Sequence, residues 1–162
     1  MKLWQKIRAN IRSGADVWLL LQVFSVITIL PLMLRYYSIT RLLQILTPKR
    51  TLPVSSMQEE YTRKLVKYTD YILRRRVWVY RQNCLRRALV LYHFLRSAGI
   101  DVQILFGVRR NIQHSHDGAG NHLDGHAWLV CQGQPFLELN DKVFDIYTVT
   151  FRYPAITTEM GS

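Results

Sequence analysis

The hydrophobic period of this chain changes at Gly99, and that change restricts the fold more than any other feature. Before Gly99, apolar residues recur at helical spacing: Leu85, Ala88, Leu89, Tyr92 and Leu95 share one helix face, and Gly99 stops the helix. After it they alternate, and Val102, Ile104 and Phe106 lie on one face of a strand over 100–108. The pattern predicts an α+β domain with helices first and a sheet after them. At 162 residues, 49% of them apolar, the chain has material for one full domain with its own core. Two cysteines, Cys84 and Cys131, exclude a disulfide framework, and without a Cys-x-x-Cys pair the usual thiolate zinc site is excluded too.

The N-terminal third carries no charge between Asp16 and Arg35. Residues 17–34 therefore sit at the lower length limit of a membrane-crossing helix. Gln22, Ser25, Thr28 and Pro31 count against that reading. Lys2, Lys6, Arg8 and Arg12 precede the run as in a signal peptide, but no small-x-small cleavage site follows. Three roles compete: a helix buried in its own domain, a face that docks a partner protein, or a membrane contact. The expected location is the cytoplasm, with membrane association through residues 17–34 as the alternative. A second amphipathic segment over 36–46 precedes a Pro- and Ser/Thr-containing linker at 47–56. Ser56 and Glu59 have capping-box spacing, and they open a helix expected to reach Leu73 with Tyr61, Leu65, Tyr68 and Ile72 on its apolar face. The chain thus divides into an apolar, basic helical region at 1–50 and a domain at 57–153. Residues 1–98 hold 18 Lys/Arg against 4 Asp/Glu, and the remainder holds 4 against 7. A basic first half suits an acidic partner, an anionic membrane, nucleic acid or simply a solvated surface.

Asn83 is a good helix N-cap and puts Cys84 in the first helical turn. The positive end of the helix dipole, with Arg81, Arg86 and Arg87 nearby, favours the thiolate that a nucleophilic cysteine needs. A small buried residue is the competing role for Cys84. Beyond the first strand, residues 109–125 read as a polar, Gly- and His-rich loop. A strand at 126–131, a turn at Gln132-Gly133, a strand at 135–139 and a short strand at 143–147 follow. His126 opens the second strand, and Glu138, Asn140 and Asp141 lie beyond the turn. Cysteine, histidine and carboxylate are the parts of thiol catalysis: the imidazole takes the thiol proton and later protonates the leaving amine, and the carboxylate fixes the tautomer.

The runs Cys84-Leu85-Arg86-Arg87-Ala88-Leu89, Leu95-Arg96-Ser97-Ala98-Gly99-Ile100, Leu105-Phe106-Gly107-Val108-Arg109 and Gly125-His126-Ala127-Trp128 followed by Gly133 occur in a specific order. In these the stretch from Cys84 to Asp141 resembles the transglutaminase-like cysteine proteins, and among them the lasso-peptide leader peptidases. The resemblance implies a papain-like arrangement, in which the Cys helix packs on a small antiparallel sheet. It implies Cys84 as nucleophile, His126 as general base and Glu138 as the third member. It implies no cofactor, and three partners: a precursor peptide, a leader-binding protein of the RiPP recognition element type, and a separate ATP-dependent lasso cyclase. Gln82 and the Cys84 amide are candidate oxyanion donors, since first-turn N–H groups are free. Trp128 is expected beside the site or in the core. A two-residue turn at Gln132-Gly133 would pair His126 with Leu139 and turn Glu138 to the other face, whereas one extra bulge residue would restore the match. Asn140, Asp141 and Asp145 therefore remain alternative third residues.

Other classes leave weaker traces. His114, His116, His122, His126, Asp117, Asp124 and Cys131 are candidate metal ligands, but glycines at 118, 120 and 125 disfavour a rigid pair, and no metal is expected. No nucleic-acid reader motif accompanies the positive charge, and no nucleic-acid partner is expected. A non-enzymatic docking protein with an inert Cys84, or an acyltransferase on the same fold, are the remaining alternatives.

Overall fold

The computed structural model describes residues 14–48, 58–73, 83–111, 122–138 and 142–155. Among the described residues four helices come first: α1 (Gly14–Tyr36), α2 (Ile39–Leu46), α3 (Gln58–Leu73) and α4 (Asn83–Ser97). Strands β1 (Val102–Asn111), β2 (His122–Cys131) and β3 (Gln134–Phe136) follow, then a one-turn helix α5 (Val143–Ile146) and strand β4 (Thr148–Tyr153). The sheet is antiparallel in the order β3-β2-β1-β4. This is the α+β architecture that the change of period at Gly99 demands. Gly99 ends α4 with φ +81°, a left-handed conformation that suits glycine.

Helix α1 buries Leu19, Val23, Ile27 and Leu30, a stripe at helical spacing. That stripe joins Leu65 of α3, Leu89 and Leu95 of α4, and Val102, Ile104, Ala127 and Leu129 of the sheet in one core. The helix runs through Pro31. At its start the buried Asp16 accepts a 2.9 Å ion pair from Lys64 of α3, which also bridges to Glu60. The helix α2 opens at Ser38, whose hydroxyl accepts from the Arg41 N–H. The other face of the sheet carries a smaller apolar cluster, Leu105, Trp128, Val130 and Val143, packed with Tyr147. Strand β1 is therefore apolar on both faces, so Leu105 is buried as fully as Ile104.

Several boundaries differ from the sequence reading. Strands β1 and β2 extend to Asn111 and His122, pairing Arg109 with Asp124, so much of the expected loop at 109–125 is sheet. The strand expected at 143–147 is instead helix α5, because Val143 and Tyr147 are one helical turn apart and meet the same cluster. The sheet's fourth strand is β4, which pairs with β1 across a bulge at Phe106/Gly107. Strand β3 stops at Phe136 rather than Leu139. The linker at 49–56, the Ser56 cap and the arginines at 74–76 and 81 lie outside the described residues.

Candidate active site

Cys84 stands in the first turn of α4, where helical N–H groups have no partner within the helix. The nearest strand is β2, whose outer edge β3 covers only from Leu129 onward. At the uncovered part of that edge the sulfur interacts with the His126 ring and with the N–H groups of Leu85 and Ala127. The His126 bond lowers the thiol below its ordinary range, partial burial opposes it, and the two N–H groups assist. Cys131, at the far end of the same strand, has no such partner, and burial pushes its thiol up. Arg87, expected to act on the thiol, faces elsewhere.

His126 is held from two sides. Its Nε2 lies 2.8 Å from Glu138 Oε2, which leaves Nδ1 for the thiol. The bonds to Cys84 and then to Glu138 push the imidazole up to about 9 against the effect of burial. The arrangement thus sets a thiol of lowered pKa beside an imidazole held in its protonated form at neutral pH and backed by Glu138.

Glu138 reaches this position by a route that the turn arithmetic missed. The turn at Gln132-Gly133 is the simple two-residue kind, with φ +50° and +80° at its central residues. Strand β3 pairs Phe136 with Leu129, so the register alone would send Glu138 to the wrong face. Leu137 then adopts φ +59°, breaks the strand and turns Glu138 back towards His126. The reversal is a left-handed residue after the strand and not a bulge in the turn. Behind it, Arg87 of α4 donates from Nη1 to the Leu137 carbonyl at 2.9 Å and lies 3.7 Å from Glu138 Oε1. Its Nε donates to Asp70 of α3 at 2.7 Å.

A family model described as the transglutaminase-like superfamily matches residues 26–152. The chain belongs to the transglutaminase-like superfamily. That membership brings activity of the cysteine-protease or acyl-transferase type. No curated protein and no solved structure matched the chain.

In this transglutaminase-like site the His126 ring rests in a triangle with two others. Trp128, two residues along β2 and on the same face, stacks at 5.9 Å and 17°; Tyr147 stacks at 5.1 Å and 26°. Trp128 is only 1% exposed, so it is at once core and neighbour of the site. Gly107 lies opposite His126 in the sheet. A Cβ there would come within 2.7 Å of the Trp128 ring and 3.0 Å of Tyr147 Cβ, so glycine is what allows the rings to sit so close to the strand. Arg109 lies over the outer face of Tyr147 at 5.3 Å and pairs with Asp124 at 2.8 Å.

Of the residues singled out from the sequence, Cys84, His126, Glu138 and Trp128 come together. Gln82, Asn140 and Asp141 lie outside the described residues. Asp145 is exposed on α5 and is not the acceptor for His126. His114, His116 and Asp117 also lie outside, and among the described residues no cluster of three or more His, Cys, Asp or Glu could hold a metal ion. Sequence reasoning missed Tyr147, Gly107, Asp70 and the role of Arg87. The close pairing of Gly107 with a histidine-bearing strand was the one readable signal among them.

Proposed function

We propose that this chain is a cysteine peptidase that removes the leader from a ribosomally made lasso-peptide precursor. The observation that carries the reading is the continuous chain Cys84–His126–Glu138 at a helix N-terminus. In this mechanism the Cys84 thiolate attacks the carbonyl carbon at the leader–core junction and forms a C–S bond. The carbonyl electron pair moves to oxygen, and the oxyanion accepts from the Cys84 N–H and from Gln82. As the tetrahedral species collapses, the C–N bond breaks and His126 gives its proton to the leaving amine, which becomes the new N-terminus of the core. His126 then takes a proton from water, whose oxygen attacks the thioester carbon. The C–S bond breaks, Cys84 leaves as the thiolate beside the protonated His126, and the leader leaves as a carboxylic acid that gives its remaining proton to solvent. Glu138 holds the ring through Nε2 during both proton transfers.

A leader-binding protein of the RiPP recognition element type presents the precursor, and a separate ATP-dependent cyclase closes the ring. The partner docks on the outward face of α1, where Trp18, Leu21, Phe24 and Leu32 are exposed. This chemistry takes place in the cytoplasm, where the precursor is made. By length and composition alone α1 could also cross a membrane, but its buried stripe is shared with α3 and α4.

The test is incubation with a candidate precursor and its leader-binding partner, followed by mass analysis. Wild type yields free core and a leader ending in a carboxylate. Cys84→Ala yields neither while keeping the native fold, and Glu138→Ala slows cleavage by about 10²-fold or more, in the range of losing a group that positions a general base. Cleavage by Cys84→Ala, or a leader ending in an amide with an added amine, contradicts the peptidase reading.

A further inference from the structure

We infer that Arg87 is a positioning residue that holds the Glu138 carboxylate against His126 by gripping the kinked backbone at Leu137. Leucine has no side-chain preference for the left-handed region, so something outside the residue must stabilise φ +59° at Leu137. Arg87 supplies it, because the carbonyl that the kink exposes is the one its Nη1 hydrogen-bonds. The same nitrogen lies 3.7 Å from Glu138 Oε1, while Oε2 faces His126. One guanidinium therefore fixes both the bend that redirects Glu138 and the rotation of its carboxylate. Asp70 anchors the guanidinium in turn through Nε. The planar fork matters, since Nε and Nη1 keep a fixed angle between α3 and the 137–138 segment that a lysine ammonium cannot reproduce.

Among the described residues, the charged groups facing Glu138 are His126 from β2 and Arg87 from α4, with Asp70 of α3 behind Arg87 and Cys84 beyond the imidazole. If Arg87 acts through Glu138, its loss loosens the carboxylate, weakens the support of the imidazolium and returns the thiol towards ordinary acidity.

This inference rests on the thiol-nucleophile reading but on no particular substrate, so its test uses none. The pH dependence of Cys84 alkylation by iodoacetamide, followed by peptide mapping, is measured in wild type, Arg87→Gln, Glu138→Gln and the double variant. Each protein is first shown to unfold cooperatively. Arg87→Gln is expected to raise the thiol midpoint, slowing alkylation near pH 6.5 by about tenfold for each unit of upward shift. Glu138→Gln does the same, and the double variant goes no further than Glu138→Gln. A native Arg87→Gln with the wild-type profile, or an equal extra shift in the Glu138→Gln background, overturns the inference. Should Arg87→Gln fail to fold, Asp70→Asn is expected to shift the midpoint less in the same direction, and only when Glu138 is present; an unchanged profile overturns it. A wild-type midpoint in the ordinary thiol range contradicts the nucleophile reading instead, so the two failures are distinguishable.

Discussion

At the scale of single residues, two thiols, one on a helix against the sheet and one within it, are driven in opposite directions by their surroundings. Cys131 gains burial and the nearby charge of Asp101, whereas Cys84 gains an imidazole and two backbone N–H groups. The second environment was legible in part because a helix N-terminus and a Gly-His pair on a strand leave marks in local sequence. Glu138 was legible only by resemblance. The turn residues correctly indicate a two-residue reversal, which points Glu138 away, and nothing about a leucine announces the left-handed backbone that turns it back. Tyr147 and Arg87 were hidden for a different reason: their contacts join elements far apart in the chain. Gly107 provides a prediction at this scale. Gly107→Ala forces the Trp128 and Tyr147 rings outward and with them His126. It is expected to lower stability by about 1–3 kcal/mol, as overpacking does. Tryptophan fluorescence and a denaturant titration check this, and unchanged values of both would mean that the rings are not held against the strand.

Among the elements, α1 has two characters. Its inner stripe of Leu19, Val23, Ile27 and Leu30 is core, and its outer residues are apolar without being covered by the described chain. Ser25 and Thr28 do not interrupt that outer face with unsatisfied groups, because their hydroxyls donate to the carbonyls of Leu21 and Phe24. The sequence shows an uncharged run, but an all-round apolar helix has no period from which to tell the inner face from the outer. Ile27→Ala is expected to destabilise the whole protein by about 2–5 kcal/mol, as a large-to-small change at a fully buried site does. A chemical unfolding curve measures it, and a loss under about 0.5 kcal/mol would mean that α1 is not part of the cooperative fold. Helix α5 illustrates the opposite limit, since four residues are too few to distinguish a period of two from one of 3.6.

On the scale of the whole molecule, charge is divided along the chain and the site spans the division, with Cys84 in the basic first part. The helical first part is strongly basic, and the slightly acidic remainder carries His126 and Glu138. The α+β order, the Cys helix and the histidine strand were readable from period changes. The two-sided sheet was not, because alternation in β1 hides Leu105 among apolar neighbours on both faces. The docking proposed for the outer face of α1 can be tested apart from folding. Combined Leu21→Ser, Phe24→Ser and Leu32→Ser changes are expected to leave the unfolding free energy within about 1–2 kcal/mol, given roughly 0.5 kcal/mol per exposed site. They are expected to abolish co-elution with the leader-binding partner, and retained co-elution would move the docking surface elsewhere. The central claim, that Cys84 is ionised by its contact with His126, is tested most directly by the pH profile of Cys84 carboxymethylation in wild type and His126→Ala. The account predicts a wild-type midpoint lowered from that of a free cysteine and a His126→Ala thiol returned to about 8.5, the value of a free cysteine. A wild-type midpoint already near that value, or one that His126→Ala leaves in place, would contradict it.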